Sequence, residues 1–234
     1  MSCQKNCYNK IKSKISCPDN TRNNTPTIFY NQNDVYSNNK PRNTSKNAKE
    51  VTNGRGIYWG DTEEFCKSLV ETITVKIRYT ESIEKGKPYR IMDKSKIRTK
   101  KINIEVNKAI SKKVQDIFEE IYNDNDTEVY KDYGYFVFCG DIHNYCYRCA
   151  KNSDGSCKKD EHNKYDKLSY HSYGAALDFC NQYANSYGKL VYNQNTELHI
   201  ANKNHPVVKI FEKHGFGWGG SYDDYMHFSY LGGR

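Results

Sequence analysis

The 234-residue chain has no apolar run approaching the roughly 18 residues that a bilayer-spanning helix needs, and only 36% of its residues are hydrophobic. A membrane span is excluded on that ground. The start, Met1-Ser2-Cys3-Gln4-Lys5-Asn6-Cys7, lacks the apolar stretch of a secretory signal. The expectation is therefore synthesis in the cytoplasm without a signal peptide. Aliphatic residues are scarce over residues 1–53, which are rich in Asn, Lys, Ser and Thr and punctuated by Asn23-Asn24-Thr25-Pro26 and Asn38-Asn39-Lys40-Pro41. Such a segment offers too little apolar surface to offset the entropy of ordering it, so it reads as a disordered or loosely attached tail. There is no internal repeat. No nucleic-acid motif accompanies the basic run Lys94-Ser95-Lys96-Ile97-Arg98-Thr99-Lys100-Lys101, which reads as a solvated loop or strand edge.

What the chain does have is positive charge and cysteine. Lys and Arg number 36 against 28 Asp and Glu, a net charge of +8 that favours anionic partners. The nine cysteines are odd in number, so at least one is unpaired within a monomer. Cys146-x-x-Cys149 could form half of a structural zinc site or a redox pair. Cys139 and Cys157 stand at irregular distances from it, and structural cysteines are the preferred reading.

The length suits one core with a small extension, and the folded part is expected to begin near Gly56-Ile57-Tyr58-Trp59. Asp61, with Glu64 three residues on, reads as a helix N-cap in capping-box style. Val75, Ile77 and Tyr79 alternate with Lys76, Arg78 and Thr80, the pattern of a half-buried strand. Val106, Ile110, Val114, Ile117, Phe118 and Ile121 recur at helical spacing and predict a helix over about 104–123. Residues 133–139 read as a buried strand and 149–168 as a long polar surface loop. A second helix is predicted over about 206–214, with Pro206 in its first turn and Gly215 at its C-terminal cap. Helices and strands mix without regular βαβ alternation, so the class is α+β.

Two segments carry chemistry: Ser169-Tyr170-His171-Ser172-Tyr173-Gly174-Ala175-Ala176-Leu177-Asp178 and Asp223-Asp224-Tyr225-Met226-His227-Phe228. Gly174 permits a tight turn after His171. In a following strand, Ala175, Leu177 and Phe179 would face the core and Asp178 the opposite side, while His227 would point away from Met226, Phe228 and Tyr230. An acidic residue in such apolar company is costly to bury unless it is paired or bound to metal. Taken singly, a loop histidine is polar surface and a strand aspartate a cap or half an ion pair. His143, His162, His199, His205 and His214 receive that plain reading, His205 beside the helix start and His214 at its end. Two imidazoles and a carboxylate together suit zinc with one position left over. Zinc lowers the pKa of water toward neutrality, and a carboxylate nearby can take the proton and pass it to a leaving amine.

At these residues the sequence resembles the D-Ala-D-Ala carboxypeptidase and L-Ala-D-Glu endopeptidase family of zinc peptidases, which includes phage endolysins and vancomycin-resistance enzymes. The family signature, Ser-x-His-x-x-Gly-x-Ala-x-Asp followed later by Asp/Glu-x-x-His, is matched by Ser169, His171, Gly174, Ala176 and Asp178, then by Asp224 and His227. Residues 207–220, ending in Gly217-Trp218-Gly219-Gly220, look like the helix and turn of the phage endopeptidase branch, and 104–123 looks like its opening helix. The resemblance implies a zinc ion on His171, Asp178 and His227, and Asp224 as general base. It implies Arg148 as a contact to substrate or oxyanion, and Ser169 and Trp218 as substrate-binding residues. The implied fold is a small antiparallel sheet packed with helices and carrying the zinc site, the hedgehog-like D-Ala-D-Ala-peptidase arrangement. It would occupy residues 95–234 behind a helix–strand extension at 54–94 and the tail at 1–53. The cysteine-rich loop 139–157 and Ser229, where the family often has Glu, depart from the pattern.

The implied activity is hydrolysis of a peptide bond in peptidoglycan stem peptides by a monomer, with the L-Ala-D-Glu bond favoured by the Gly-Trp-Gly-Gly turn. Carboxypeptidase trimming of D-Ala and a non-catalytic wall-binding module are the alternatives. Peptidoglycan and anionic wall polymers are the expected partners, nucleic acid is not, and action on the wall after release, as by a viral lysin, is the expected setting.

Overall fold

The computed structural model describes residues 41–58, 61–82, 93–125, 134–139, 142–147, 168–179, 203–222 and 224–232. In chain order its elements are β1 (Pro41–Asn43), α1 (Lys46–Glu50), β2 (Ile57–Tyr58), α2 (Glu63–Ser68), β3 (Val70–Thr80), β4 (Arg98–Asn107), α3 (Ser111–Asn123), β5 (Phe138–Cys139), β6 (Ile142–His143), β7 (Ala176–Phe179), α4 (Pro206–Lys213), β8 (Gly217–Trp218) and β9 (His227–Ser229).

Ile73, Val75 and Ile77 face inward along β3; the alternation predicted from Val75 onward holds to Ile77 and fails at the end, where Tyr79 is half-buried and Thr80 fully buried. β3 pairs antiparallel with β4 in unbroken register from Val70↔Asn107 to Tyr79↔Arg98, which sets Ile73 against Ile104 and Val75 against Ile102. β5 joins the other edge of β3 in parallel. The basic stretch Arg98–Lys101 forms the exposed start of β4, a solvated strand edge as expected. A second sheet, entirely antiparallel, has the order β6-β7-β9-β8, and β1 and β2 form a third, two-stranded one. Mixed helices and small sheets give the α+β class expected.

Phenylalanines hold the second sheet to the helices. Phe179 of β7 packs against Phe138, Phe211 and Phe228 with ring centroids 5.2–5.5 Å apart, and Phe211 stacks on Phe228 at 4.1 Å. Each such pair adds about 0.5–1.5 kcal/mol beyond its buried area. Phe118 brings α3 to the same cluster through Phe138, at 5.6 Å. α4 begins with Pro206 at its first positions, and Gly215 follows it with φ +85°, as its sequence predicts.

Five of these readings differ from expectation. Residues 104–107 belong to β4: Ile102, Ile104 and Val106 alternate along it, and the helix begins only after a 3-10 turn over Lys108–Ile110, capped by the Asn107 side chain. The predicted tail ends too late, because residues 41–53 form β1 and α1 and bury Ala48 and Val51 completely. Asn107 Nδ2 donates to the Val51 carbonyl at 2.8 Å, and Asn47 Nδ2 to the Tyr230 carbonyl at 2.7 Å, which fasten that segment to the domain. Residues 54–94 are no separate extension either, since β3 supplies the partner strand of β4. Thr62, not Asp61, caps α2, its hydroxyl accepting from Phe65 N at 3.2 Å. The strand predicted over 133–139 narrows to Phe138–Cys139, although Phe136 and Val137 before it are buried. Residues 1–40, Tyr133 and 149–167 lie outside the described residues, and Leu168, the last residue of the predicted surface loop, is buried.

Candidate metal centre

The first chemical segment folds as a 3-10 turn over Tyr170–Tyr173 running into β7. Ser169 caps the turn, its hydroxyl accepting from His171 N at 3.4 Å. Gly174 ends it in the left-handed conformation at φ +64°. A Cβ there would lie 2.7 Å from Asn107 N, so Gly174 also permits the turn to press against the end of β4. Asn107 N donates to the Gly174 carbonyl at 2.9 Å and Asn107 Nδ2 to the Tyr173 carbonyl at 2.9 Å, which fixes where the turn delivers His171.

β7 and β9 pair with Asp178 directly opposite His227, and Leu177 opposite Phe228. Phe228 and Phe179 point into the phenylalanine cluster, and Asp178 and His227 occupy the opposite face, as their alternation predicts. Both faces of β7 are buried.

Three donor atoms converge. Asp178 Oδ1 lies 3.1 Å from His171 Nε2 and 2.8 Å from His227 Nδ1, and the two nitrogens are 3.3 Å apart. All three residues are at least 96% buried. Ligand atoms about 2.0–2.1 Å from a tetrahedral zinc would be roughly 3.3 Å from one another, close to these separations. The donor chemistry fits as well. The Asn144 carbonyl, which can only accept, is 2.6 Å from His171 Nδ1, so that nitrogen carries the proton and Nε2 is the ligand-competent one. His227 Nδ1 faces the cluster, while its Nε2 is buried without a hydrogen-bond partner among the described residues. Charging both rings would set two buried cations side by side at one carboxylate oxygen, whereas a divalent ion replaces both protons. His171, Asp178 and His227 are the His/Cys/Asp/Glu group among the described residues able to hold a metal.

Burial alone would raise the Asp178 carboxyl; the adjacent His171 charge and hydrogen bonds from both imidazoles outweigh it and hold it well below the usual carboxylate range. Asp178 is therefore anionic, the form a metal needs.

Asp224 sits in the turn before β9. Its N–H donates to the Gly219 carbonyl at 3.1 Å and its carbonyl accepts from His227 N at 3.0 Å, so it is tied directly to a member of the triad. Gly219 makes room for it: a Cβ on Gly219 would stand 2.3 Å from the Asp224 carbonyl oxygen. Trp218 builds the same turn, its indole N–H donating to the Tyr225 carbonyl at 2.8 Å. Asp223, Arg148, Cys149, Cys157 and Cys180 lie outside the described residues.

Sequence reasoning missed the segment that grips His171 from behind. Besides the Asn144 carbonyl, Cys146 N donates to the His171 carbonyl at 3.2 Å, and Ser172 Oγ donates to the Cys146 carbonyl at 3.3 Å. Backbone groups do this work, so no residue-type signal announces it. Asp61, which the sequence suggests as a cap, has another role. Buried, it pairs with Arg55 and accepts from the Tyr173 hydroxyl at 2.8 Å, anchoring the far end of the His171 turn.

Residues 163–230 match a family model described as D-alanyl-D-alanine carboxypeptidase. The matched stretch contains His171, Asp178, Asp224 and His227, and it supports a peptidase. No curated protein and no solved structure matches the chain. No helix among the described residues is long and apolar enough to cross a membrane.

Proposed function

We propose that the chain is a zinc peptidase that hydrolyses a peptide bond in peptidoglycan stem peptides, acting as an L-Ala-D-Glu endopeptidase. The observation that carries the reading is the convergence of His171 Nε2, Asp178 Oδ1 and His227 Nδ1 within the stretch that matches the carboxypeptidase model. The endopeptidase assignment rests on the Gly217-Trp218-Gly219-Gly220 turn and the helix before it, which look like the phage endopeptidase branch. Action on the wall after release from the producing cell, in the manner of a lysin, goes with it, and the positive charge suits anionic wall polymers.

His171, Asp178 and His227 hold the metal, Asn144 fixing the tautomer of the first. A bound zinc supplies Lewis acidity at the scissile carbonyl and acidifies water. Asp224 takes the proton of the attacking water and hands it to the leaving amine. Ser169 and Trp218 shape the walls that receive the peptide, and Arg148 contacts it.

Digestion of purified peptidoglycan, with mass spectrometry of the products, tests the proposal. A new Glu amino terminus supports the endopeptidase. Free D-Ala moves the assignment to carboxypeptidase, and no cleavage by folded, zinc-loaded protein overturns it.

A further inference from the structure

The register of the second sheet carries one more residue to the metal-binding face. β6 pairs with β7 so that His143 lies directly opposite Asp178, and Asp178 in turn lies opposite His227. Residues directly opposite in an antiparallel pair share a face and hold their Cβ atoms about 4.5–5.5 Å apart. The row His143–Asp178–His227 thus crosses three adjacent strands on one side of the sheet. The neighbouring row agrees: Ile142 lies opposite Phe179 and packs on the hydrophobic core, which sends His143 to the other face.

Burial separates the members of that row. Asp178 and His227 are buried, whereas His143 is half-buried, so part of this residue remains open to solvent beside the metal-binding row. The next residue, Asn144, holds His171 through its carbonyl, so the segment that aims a ligand also places His143.

We propose that His143 is a further catalytic residue, whose ring N–H donates a hydrogen bond to the scissile carbonyl oxygen as negative charge gathers there. The group is neither a metal ligand nor the base. It is a directed donor, preset by the strand and therefore able to act without reorganisation. The proposal rests on the peptidase reading for its substrate.

The test compares wild type with His143→Ala and His143→Gln in the full-length protein. Three quantities are read: zinc content, kcat and KM on a soluble muropeptide, and affinity for a phosphinate pseudo-dipeptide, whose tetrahedral anion mimics the charged oxygen. Wild-type turnover establishes the peptidase reading separately. In His143→Ala, zinc stays at one per chain, kcat falls by about 10²–10³-fold with KM little changed, and phosphinate binding weakens by a similar factor. His143→Gln, which keeps an N–H donor, recovers part of both. Loss of zinc from His143→Ala would make His143 a support of the metal site and overturn the proposal. Unchanged kcat and phosphinate affinity in His143→Ala would overturn it equally.

Discussion

The backbone carbonyl of Asn144 and Nδ1 of His171 are 2.6 Å apart, and that contact decides which nitrogen of His171 faces Asp178. A carbonyl cannot donate, so Nδ1 carries a proton and Nε2 is the nitrogen left to face Asp178 and a metal. The arrangement is made before any metal arrives.

Replacing Asp224 separates chemistry from metal binding. Asp224→Asn keeps the side-chain shape and removes the proposed base, and turnover is expected to fall by about 10²–10⁴-fold while zinc content stays at one per chain. Asp223→Asn, made alongside, is expected to retain near-normal turnover. Steady-state kinetics with metal analysis decides, and near-normal turnover in Asp224→Asn would remove this residue from the mechanism.

Gly219 is expected to tolerate no side chain. A Cβ would come within 2.3 Å of the Asp224 carbonyl oxygen and 3.0 Å of His227 Cβ, so Gly219→Ala must push the turn that carries both. Displacements of about 1 Å at a reacting group cost about a hundredfold in rate, and a loss of at least tenfold is expected. Full activity in Gly219→Ala would show that the turn moves without consequence.

Truncation should distinguish residue 40 from residue 53. Removing 1–53 rather than 1–40 strips away Val51 and Ala48, both buried, and leaves Asn107 Nδ2 without its Val51 partner. Val51 burial and the orphaned donor together are worth at least about 3 kcal/mol. Denaturant unfolding of the two proteins measures the difference; equal midpoints would contradict the packing of α1.

Acid should loosen the contact among Glu50, Lys113 and Tyr230. Burial alone would raise the Glu50 carboxyl; hydrogen bonds from Lys113 and Tyr230, at 2.6 and 2.8 Å, outweigh it and lower its pKa. A carboxyl depressed by folding contributes stability above its unfolded pKa of about 4.3 and loses it as pH falls through the lower folded value. Melting temperatures of wild type and Glu50→Gln should therefore differ at pH 6 and draw together as the pH falls below the unfolded pKa. A constant gap across that range would show that Glu50 acts through packing.

The motifs were legible because their residues have few other uses at that spacing: His171, Gly174 and Asp178 on one side, Asp224 and His227 on the other. α4 was legible through Pro206 and Gly215, and the middle of β3 through the alternation of Val75 and Ile77 with Lys76. Val106 misled because its spacing to Ile110 fits a helix while its spacing to Ile104 fits a strand, and pairing with β3 chose the strand. Residues 41–53 look too polar to pack, yet Ala48 and Val51 are enough when Asn107 and Tyr230 offer hydrogen-bonding partners. The Asn144 carbonyl was invisible in principle, because every residue has one. In the sequence His143 reads as an ordinary surface histidine, and only strand register shows its neighbour to be Asp178.

Zinc content tests the central claim most directly. Purified wild-type protein, Asp178→Ala and His227→Ala are equilibrated with zinc, desalted and measured by elemental mass spectrometry, with circular dichroism confirming that each is folded. The account predicts one zinc per wild-type chain and close to none in either variant. A folded Asp178→Ala protein with a full complement of zinc, or a wild type that retains none, would contradict it.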